Sequence, residues 1–479
     1  MTTVKENLLD VPLLAGLLIL VDFAIAKASA MIINSFLLAK AQKASSRHSG
    51  MKRTSPFFYG LLLLAAPAAV QAQFNISTNG DNTITITQYT GTGGAVAIPA
   101  TTNGLTVTII GHGAFSEVFG NSGGSLITDV TIPFGVASIE SNAFQMCDNL
   151  SSVAIPGSVT NIGYEAFFEC AGLASLTIPG SVTSIGENAF AICSSLTNVM
   201  IDSGVTSIGY GAFNFCISLA NVTIPGSVTN IAEAAFEYCT SLTNLTIVNG
   251  VPAIGQAVFF ACTSLANVTI PGSVTNLGLV AFGYCTNLTS VTIPAGVISI
   301  GGGAFEQCVS LTNVTIPSTV TSIGSSAFLI CTALTSITIP GSVTNIGYEA
   351  FYDCMNLMSV YFTGDAPALG LNVFLADNNV TVYNLPYTGG WSPPFGGLSP
   401  VLWNPVIQTG DGSFGLQNNQ FGFNITGTAN IPIVVEACTN LADPVWTSLQ
   451  SLQLTNGLFH FTEPVQTNSP GQFYRLRSQ

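Results

Sequence analysis

Charge is what this chain most lacks. Asp, Glu, Lys and Arg make up 7% of its 479 residues, and only nine of them are basic. Seven of those nine (Lys5, Lys27, Lys40, Lys43, Arg47, Lys52 and Arg53) precede residue 54, and only Arg475 and Arg477 follow. Residues 54–479 therefore set two bases against 20 acids, a net −18. A nucleic-acid partner needs clustered Lys and Arg to displace counterions, and an anionic membrane surface is held by the same side chains. The body of the chain offers neither. Histidine is as scarce: only His112 and His460 lie beyond residue 50. No metalloprotease, phosphate-loop or dinucleotide motif occurs, so no cofactor is expected. Long apolar runs are also missing. Residues 11–26 form one of 16, too short for a span and interrupted by Asp22.

Met51-Lys52-Arg53 begins a basic, then apolar segment over 57–70, and Val70-Gln71-Ala72 carries small residues at the two positions read by a signal peptidase. Residues 51–72 read as a secretory signal peptide cleaved after Ala72. Residues 1–50 read as an over-extended N-terminus or a hydrophobic leader.

A repeat dominates the rest. Cys147, Cys170, Cys193, Cys216, Cys239, Cys262, Cys285, Cys308, Cys331 and Cys354 are spaced by 23 residues at every step. Around Cys239 the frame has Leu219, Val222, Ile224, Pro225, Val228 and Ile231, then Ala235-Phe236. Val222-Thr223-Ile224 alternates with period two, as a half-buried strand does, and Pro225, without an N–H, closes it. Val228 and Ile231 begin a second extended piece, often followed by a corner glycine such as Gly163 or Gly209. The stretch through Phe236 to Cys239 is expected as one helical turn. One repeat cannot bury its apolar set alone, but a stack makes a continuous core. At about 4.8 Å per strand, the ten copies span roughly 45–50 Å.

The frame resembles that of the BspA-like leucine-rich-repeat bacterial surface proteins, IGxxAFxxCxxLxxVxIPxxV, over about half of the chain. The resemblance implies a mainly β leucine-rich-repeat solenoid of short strands and single helical turns, surface display, and adhesion or binding to protein or glycan. It implies no reaction. Residues 73–125 read as the N-terminal cap, 126–362 as the solenoid, and 363–405 as a C-terminal cap and linker. Residues 406–479 alternate anew, with strands expected at 421–425, 431–436, 446–454, 458–461 and 473–476. They read as a small antiparallel β-sandwich-like domain, similar to a module that ends many exported bacterial proteins.

The ten repeat cysteines could form disulfides, a metal ladder, or a column of buried thiols. In-register side chains point the same way, which fits an S–S dihedral near about 90° poorly, and no His stands nearby to complete a zinc site. A structural ladder of buried thiols is expected. Gly120-Asn121-Ser122-Gly123-Gly124 resembles the nucleophile segment of trypsin-like proteases, yet it coincides with a six-residue insertion between Phe115 and Phe144 and reads as a loop. The columns of Thr along the strands suit either a flat-polymer or ice-binding array or a neutral, β-favouring surface.

The copies differ most at the two residues before Ala-Phe and the two after it. These supply a candidate ligand-binding edge: Tyr164, Glu165, Phe168, Glu169, Tyr210, Phe215, Glu237, Tyr238, Tyr284, Tyr348, Glu349, Tyr352 and Asp353. Aromatics beside acids suit stacking on sugar rings or a basic protein patch. Three classes of function remain: a surface binding or adhesion protein, a structural envelope or matrix component without a specific ligand, and an enzyme. The first predicts variation on one face, the second uniform faces, the third a catalytic cluster in a pocket.

Overall fold

The computed structural model describes residues 73–477 apart from 121–122, 378, 418–419, 430, 443 and 465–471. The apolar run 11–26, the signal segment 51–72 and the Asn121-Ser122 pair lie outside the described residues. Among the described residues no helix is long and apolar enough to cross a membrane.

Strands form where the sequence alternates. In Asn221–Ile224, Val222 and Ile224 are buried while Asn221 and Thr223 are exposed. This strand pairs in parallel with Asn198–Ile201 and Asn244–Ile247, placing Val222 between Val199 and Leu245. The second extended piece, Asn230–Ile231, pairs in parallel with Ser207–Ile208. Partners stand one repeat apart, so each column repeats one kind of side chain. The result is a mainly β solenoid of about 13 turns.

The third side of each turn departs from the expected helical turn. In the turn of Phe236, every second N–H leaves for the next repeat: Ala234 donates to Gln256 O, Phe236 to Val258 O and Tyr238 to Phe260 O, at 2.9–3.1 Å. The N–H groups between them close tight turns, Glu237 to Ala234 O and Cys239 to Phe236 O. A helix would aim all its N–H groups along its own axis and leave the stack unpaired on this side. The alternation requires positive φ at Ala234 (58°) and Tyr238 (57°). Glycine fills such a place at Gly211 and Gly303, but Ile192, Val280 and Ile330 also adopt it, at a cost of about 1–2 kcal/mol each. The only helical segments among the described residues are two 3-10 turns, Glu117–Phe119 and Gly124–Leu126, both in the insertion.

The core is a set of columns. Tyr89, Phe115 and the phenylalanines from Phe144 to Phe374 stack ring on ring, with centroids 4.6–5.8 Å apart. Beside them runs the cysteine column. Each thiol is buried and donates to the carbonyl of the phenylalanine one turn earlier, as Cys170 does to Phe144 O at 3.1 Å and Cys239 to Phe213 O at 3.4 Å. Burial pushes the Cys193 and Cys285 thiols up to about 12, away from the reactive thiolate. Native protein should therefore react slowly with a thiol reagent. Denatured protein should titrate all eleven cysteines without prior reduction. A count near one after denaturation would show five bridges instead.

The two ends of the stack are built differently. Phe74–Thr78 pairs antiparallel with Ile84–Tyr89 and covers the first edge. At the other end the parallel ladder runs past Phe362, where the repeat pattern fades. Ala368–Leu369, Thr381–Asn384 and Val401–Leu402 extend both sheets, and Phe374 continues the ring column. Much of 363–405 is thus solenoid rather than linker. Beyond it, Gln420–Thr426 pairs antiparallel with Val406–Gln408, Gly415–Gln417 and Leu458–Pro464. Pro432–Cys438 pairs antiparallel with Thr447–Gln453 and Phe473–Arg477. Side chains of both sheets, among them Phe423, Ile433, Val435 and Phe461, share one core with Tyr361 and Tyr383 of the solenoid. Trp403 joins the two parts by donating its indole N–H to Pro432 O at 3.0 Å.

Candidate functional site

The candidate edge resolves into two columns with different environments. The first directly follows the corner glycine. The corner is tight where glycine fills it, since a Cβ on Gly186 would come within 2.4 Å of Gly163 O, although Glu140 and Ala232 occupy the same place in their own turns. The next side chain points outward. Tyr164, Tyr210 and Tyr348 are each 45–46% exposed. Glu187 and Glu233 follow Gly186 and Ala232 in the same column and are exposed as well. The sequence reading passed over both because they are ordinary polar residues, although their offset from the preceding isoleucine is that of Tyr164.

Nearby acids act on the hydroxyls of these tyrosines. A hydrogen bond to Glu165 raises the Tyr164 hydroxyl above its usual range, and Glu349 does the same to Tyr348. Glu165 is itself held by Asn142 Nδ2 and Gln145 Nε2, both at 2.9 Å. Tyr210 is raised by partial burial and then by the carboxylates of Glu233, Glu237 and Glu187. It therefore sits in a field of negative charge.

The second column lies after the core phenylalanine and is half-buried. Phe215 and Tyr238 stack with centroids 4.4 Å apart, Tyr238 meets Phe260 edge-on at 5.7 Å, and Phe260 meets Tyr284 at 5.1 Å. Phe260 was missed because it stands one place nearer its core phenylalanine than Tyr238 and Tyr284 do. Glu237 and Glu306 interrupt the strip, and burial lifts each carboxyl to about 7. Asn214 Nδ2 donates to Glu237 Oε2 at 2.9 Å. Phe168, Glu169, Tyr352 and Asp353 are half-buried in the equivalent places.

Backbone conformation constrains these positions more than their variability suggests. Glu165, Glu169, Phe215, Tyr238, Tyr284, Glu349 and Asp353 all have positive φ, between 51° and 59°. The edge is also not continuous. Gln256, Leu279, Gly302 and Ser325 occupy the outer column between Glu233 and Tyr348. Tyr348, Glu349, Tyr352 and Asp353 thus form a cluster separate from that around Tyr164 and Tyr210.

The other surfaces are more fully occupied. Along the second sheet Thr206 Oγ1 donates to Thr183 O at 2.9 Å and Thr229 Oγ1 to Thr206 O at 3.3 Å. Those hydroxyls satisfy the stack itself. In the C-terminal sheets a cavity of about 220 Å³ is lined by Ser413, Gln417, Gln420, His460 and Thr462. The Ser413 hydroxyl donates to Asp411 at 2.5 Å, and His460 Nδ1 is bonded to Asn424 Oδ1 at 2.8 Å. The Ser413 hydroxyl is thus directed at a carboxylate, and His460 at an amide, so the two do not form the serine–histidine pair of a nucleophilic site. No group of three or more His, Cys, Asp or Glu among the described residues is placed to hold a metal ion.

The BspA type leucine-rich-repeat region matches residues 108–243 and 252–381, in six copies. The chain belongs to the BspA-type leucine-rich-repeat family. Among solved structures, this BspA-type chain is similar to a leucine-rich-repeat protein of Bacteroides ovatus, 25% identical with a TM-score of 0.48, covering 69% of this chain and 98% of that one. It is also similar to a leucine-rich cell-surface protein of Faecalibacterium prausnitzii, at 29% identity and a TM-score of 0.37, over 65% and 96%. The pneumococcal vaccine antigen PcpA is 18% identical with a TM-score of 0.43, over 65% and 85%. No curated protein matches. BspA-type proteins are typically found at the cell surface, and their repeats are generally non-enzymatic scaffolds with binding or adhesive roles.

Proposed function

We propose that this protein is exported through its segment 51–72, is displayed at a bacterial surface, and adheres to a protein or carbohydrate partner through its turn edge. The observation that carries this reading is the outward column in which Tyr164, Tyr210 and Tyr348 are each nearly half exposed. Tyrosine rings have few rotatable bonds to lose on binding, and their hydroxyls keep a polar handle. The strand faces repeat nearly identical Asn and Thr side chains, and a uniform face carries little specificity. A purely structural envelope component would have no use for side chains that differ at one edge only.

Glycan and protein arrays probed with the full-length protein identify the ligand. Replacing Tyr164, Tyr210 and Tyr348 together by serine should then abolish binding, with the fold intact by circular dichroism. Undiminished binding in that variant, together with loss on mutating the Thr columns, would move the site to the strand face.

A further inference from the structure

The chemistry of the outer column narrows the class of ligand, an inference that rests on the edge carrying binding. Four consecutive turns present Tyr164, Glu187, Tyr210 and Glu233 at the same place, all exposed. Ring and carboxylate alternate strictly. The core rings directly beneath give the rise: Phe167 to Phe190 is 5.1 Å and Phe190 to Phe213 is 5.5 Å. Tyr164 and Tyr210 therefore repeat at about 10 Å along the axis, two strand spacings. Ser184 and Ser207, from the strands Ser184–Ile185 and Ser207–Ile208, flank the column with short hydroxyls.

We propose that this comb binds an extended β-1,4-linked glycan, neutral or carrying amino groups, laid along the solenoid axis. In such a chain each pyranose ring advances by close to one turn of the solenoid and is flipped relative to the last. The same sugar face therefore returns every second ring, as the tyrosine returns every second turn. Glu187 and Glu233 then meet the hydroxyl or ammonium groups of the intervening rings. Charge selects within the class: the body of the chain carries 20 acids and two bases, so an acidic polymer is repelled and an aminated one attracted. An extended peptide fits less well. Three of its residues cover about 10 Å, but an odd number of steps turns successive side chains to opposite faces.

The test is calorimetric titration of the full-length protein with three hexasaccharides: β-1,4-linked glucosamine, β-1,4-linked glucose and α-1,4-linked glucose. The expected order is the aminated β-linked sugar first, the neutral β-linked sugar weaker, and no binding of the α-linked helix-former. Tyr210→Ala should weaken both β-linked sugars about tenfold, and Tyr210→Phe should restore them, since the stacking face returns. Glu187→Gln with Glu233→Gln should remove the preference for the aminated sugar and its salt dependence. Equal binding of the α-linked sugar, an unchanged Tyr210→Ala variant, or tighter binding of an oligolysine to the same residues would overturn the inference. If no glycan binds but a protein ligand is lost in the triple tyrosine variant, the edge stands and the glycan assignment falls. If no ligand depends on these tyrosines, both fall.

Discussion

Replacing Phe236 by alanine is expected to destabilise the solenoid by about 3–5 kcal/mol. The ring is fully buried and stacks on Phe213 at 5.1 Å and Phe259 at 5.7 Å. Its loss leaves a void that the turns on either side cannot close, because their spacing is set by parallel hydrogen bonding. Phe236 O also accepts from Cys239 N and from the Cys262 thiol, so any backbone shift is passed to the next turn. In a stack that depends on nearest neighbours, a weak mid-array turn divides the array. The denaturation transition should broaden as well as move to lower denaturant. Thr223→Ala, on the exposed face of a neighbouring strand, should change stability by less than about 1 kcal/mol. Equal midpoints for the two variants would contradict the assigned facing.

The second large effect is on pH. Burial lifts the carboxyls of Glu237, Glu306 and Asp377 to about 7. Asp377 occupies the cysteine place of the turn after Cys354. In the unfolded chain these acids titrate near about 4. The folded state therefore holds protons that the unfolded state has released, and stability must fall as pH rises between those values. Each of the three acids adds to the fall over that range. Urea midpoints should be highest near pH 4.5–5, fall through pH 7, and level off above it. The carboxyls of Asp81, Asp129 and Asp411, lowered by side-chain hydrogen bonds, act in the opposite sense, but only at more acidic pH. Relief of the overall negative charge acts in the same direction. The decisive comparison is therefore the variant Glu237→Gln, Glu306→Gln, Asp377→Asn, whose profile should be distinctly flatter. A profile as steep as that of the parent would refute the assignment.

The interior was readable from sequence because it is periodic. Val222, Ile224, Ile231, Phe236 and Cys239 each recur in step, and burial follows the recurrence. The conformation of the third side was not readable. Ala-Phe-x-x-Cys looks like a helical turn by composition, and only the demand of the neighbouring turns for hydrogen bonds selects tight turns with positive φ. Gly211, Gly303, Asn142 and Asn188 signal it in their own turns, but Tyr238, Val280 and Ile330 conceal it elsewhere. The extent of the stack was also hidden. Phe374 and Asp377 keep the frame while Pro367 and Pro386 disguise it. The candidate edge was legible as a set of variable places. Its division into an outward comb and a half-buried strip depends on how each turn folds at its corner, which variation alone does not reveal.

The closure of both ends has a consequence for the material state of the protein. A parallel stack with one turn per layer is a filament in miniature, and each open end is a template able to accept another copy in register. The antiparallel strand Phe74–Thr78 acts as a chain terminator at one end. At the other, the sheets beyond residue 405, anchored on Tyr361 and Tyr383, cover one face of the last turns. The protein thus stays a discrete object because its ends are chemically unlike its middle.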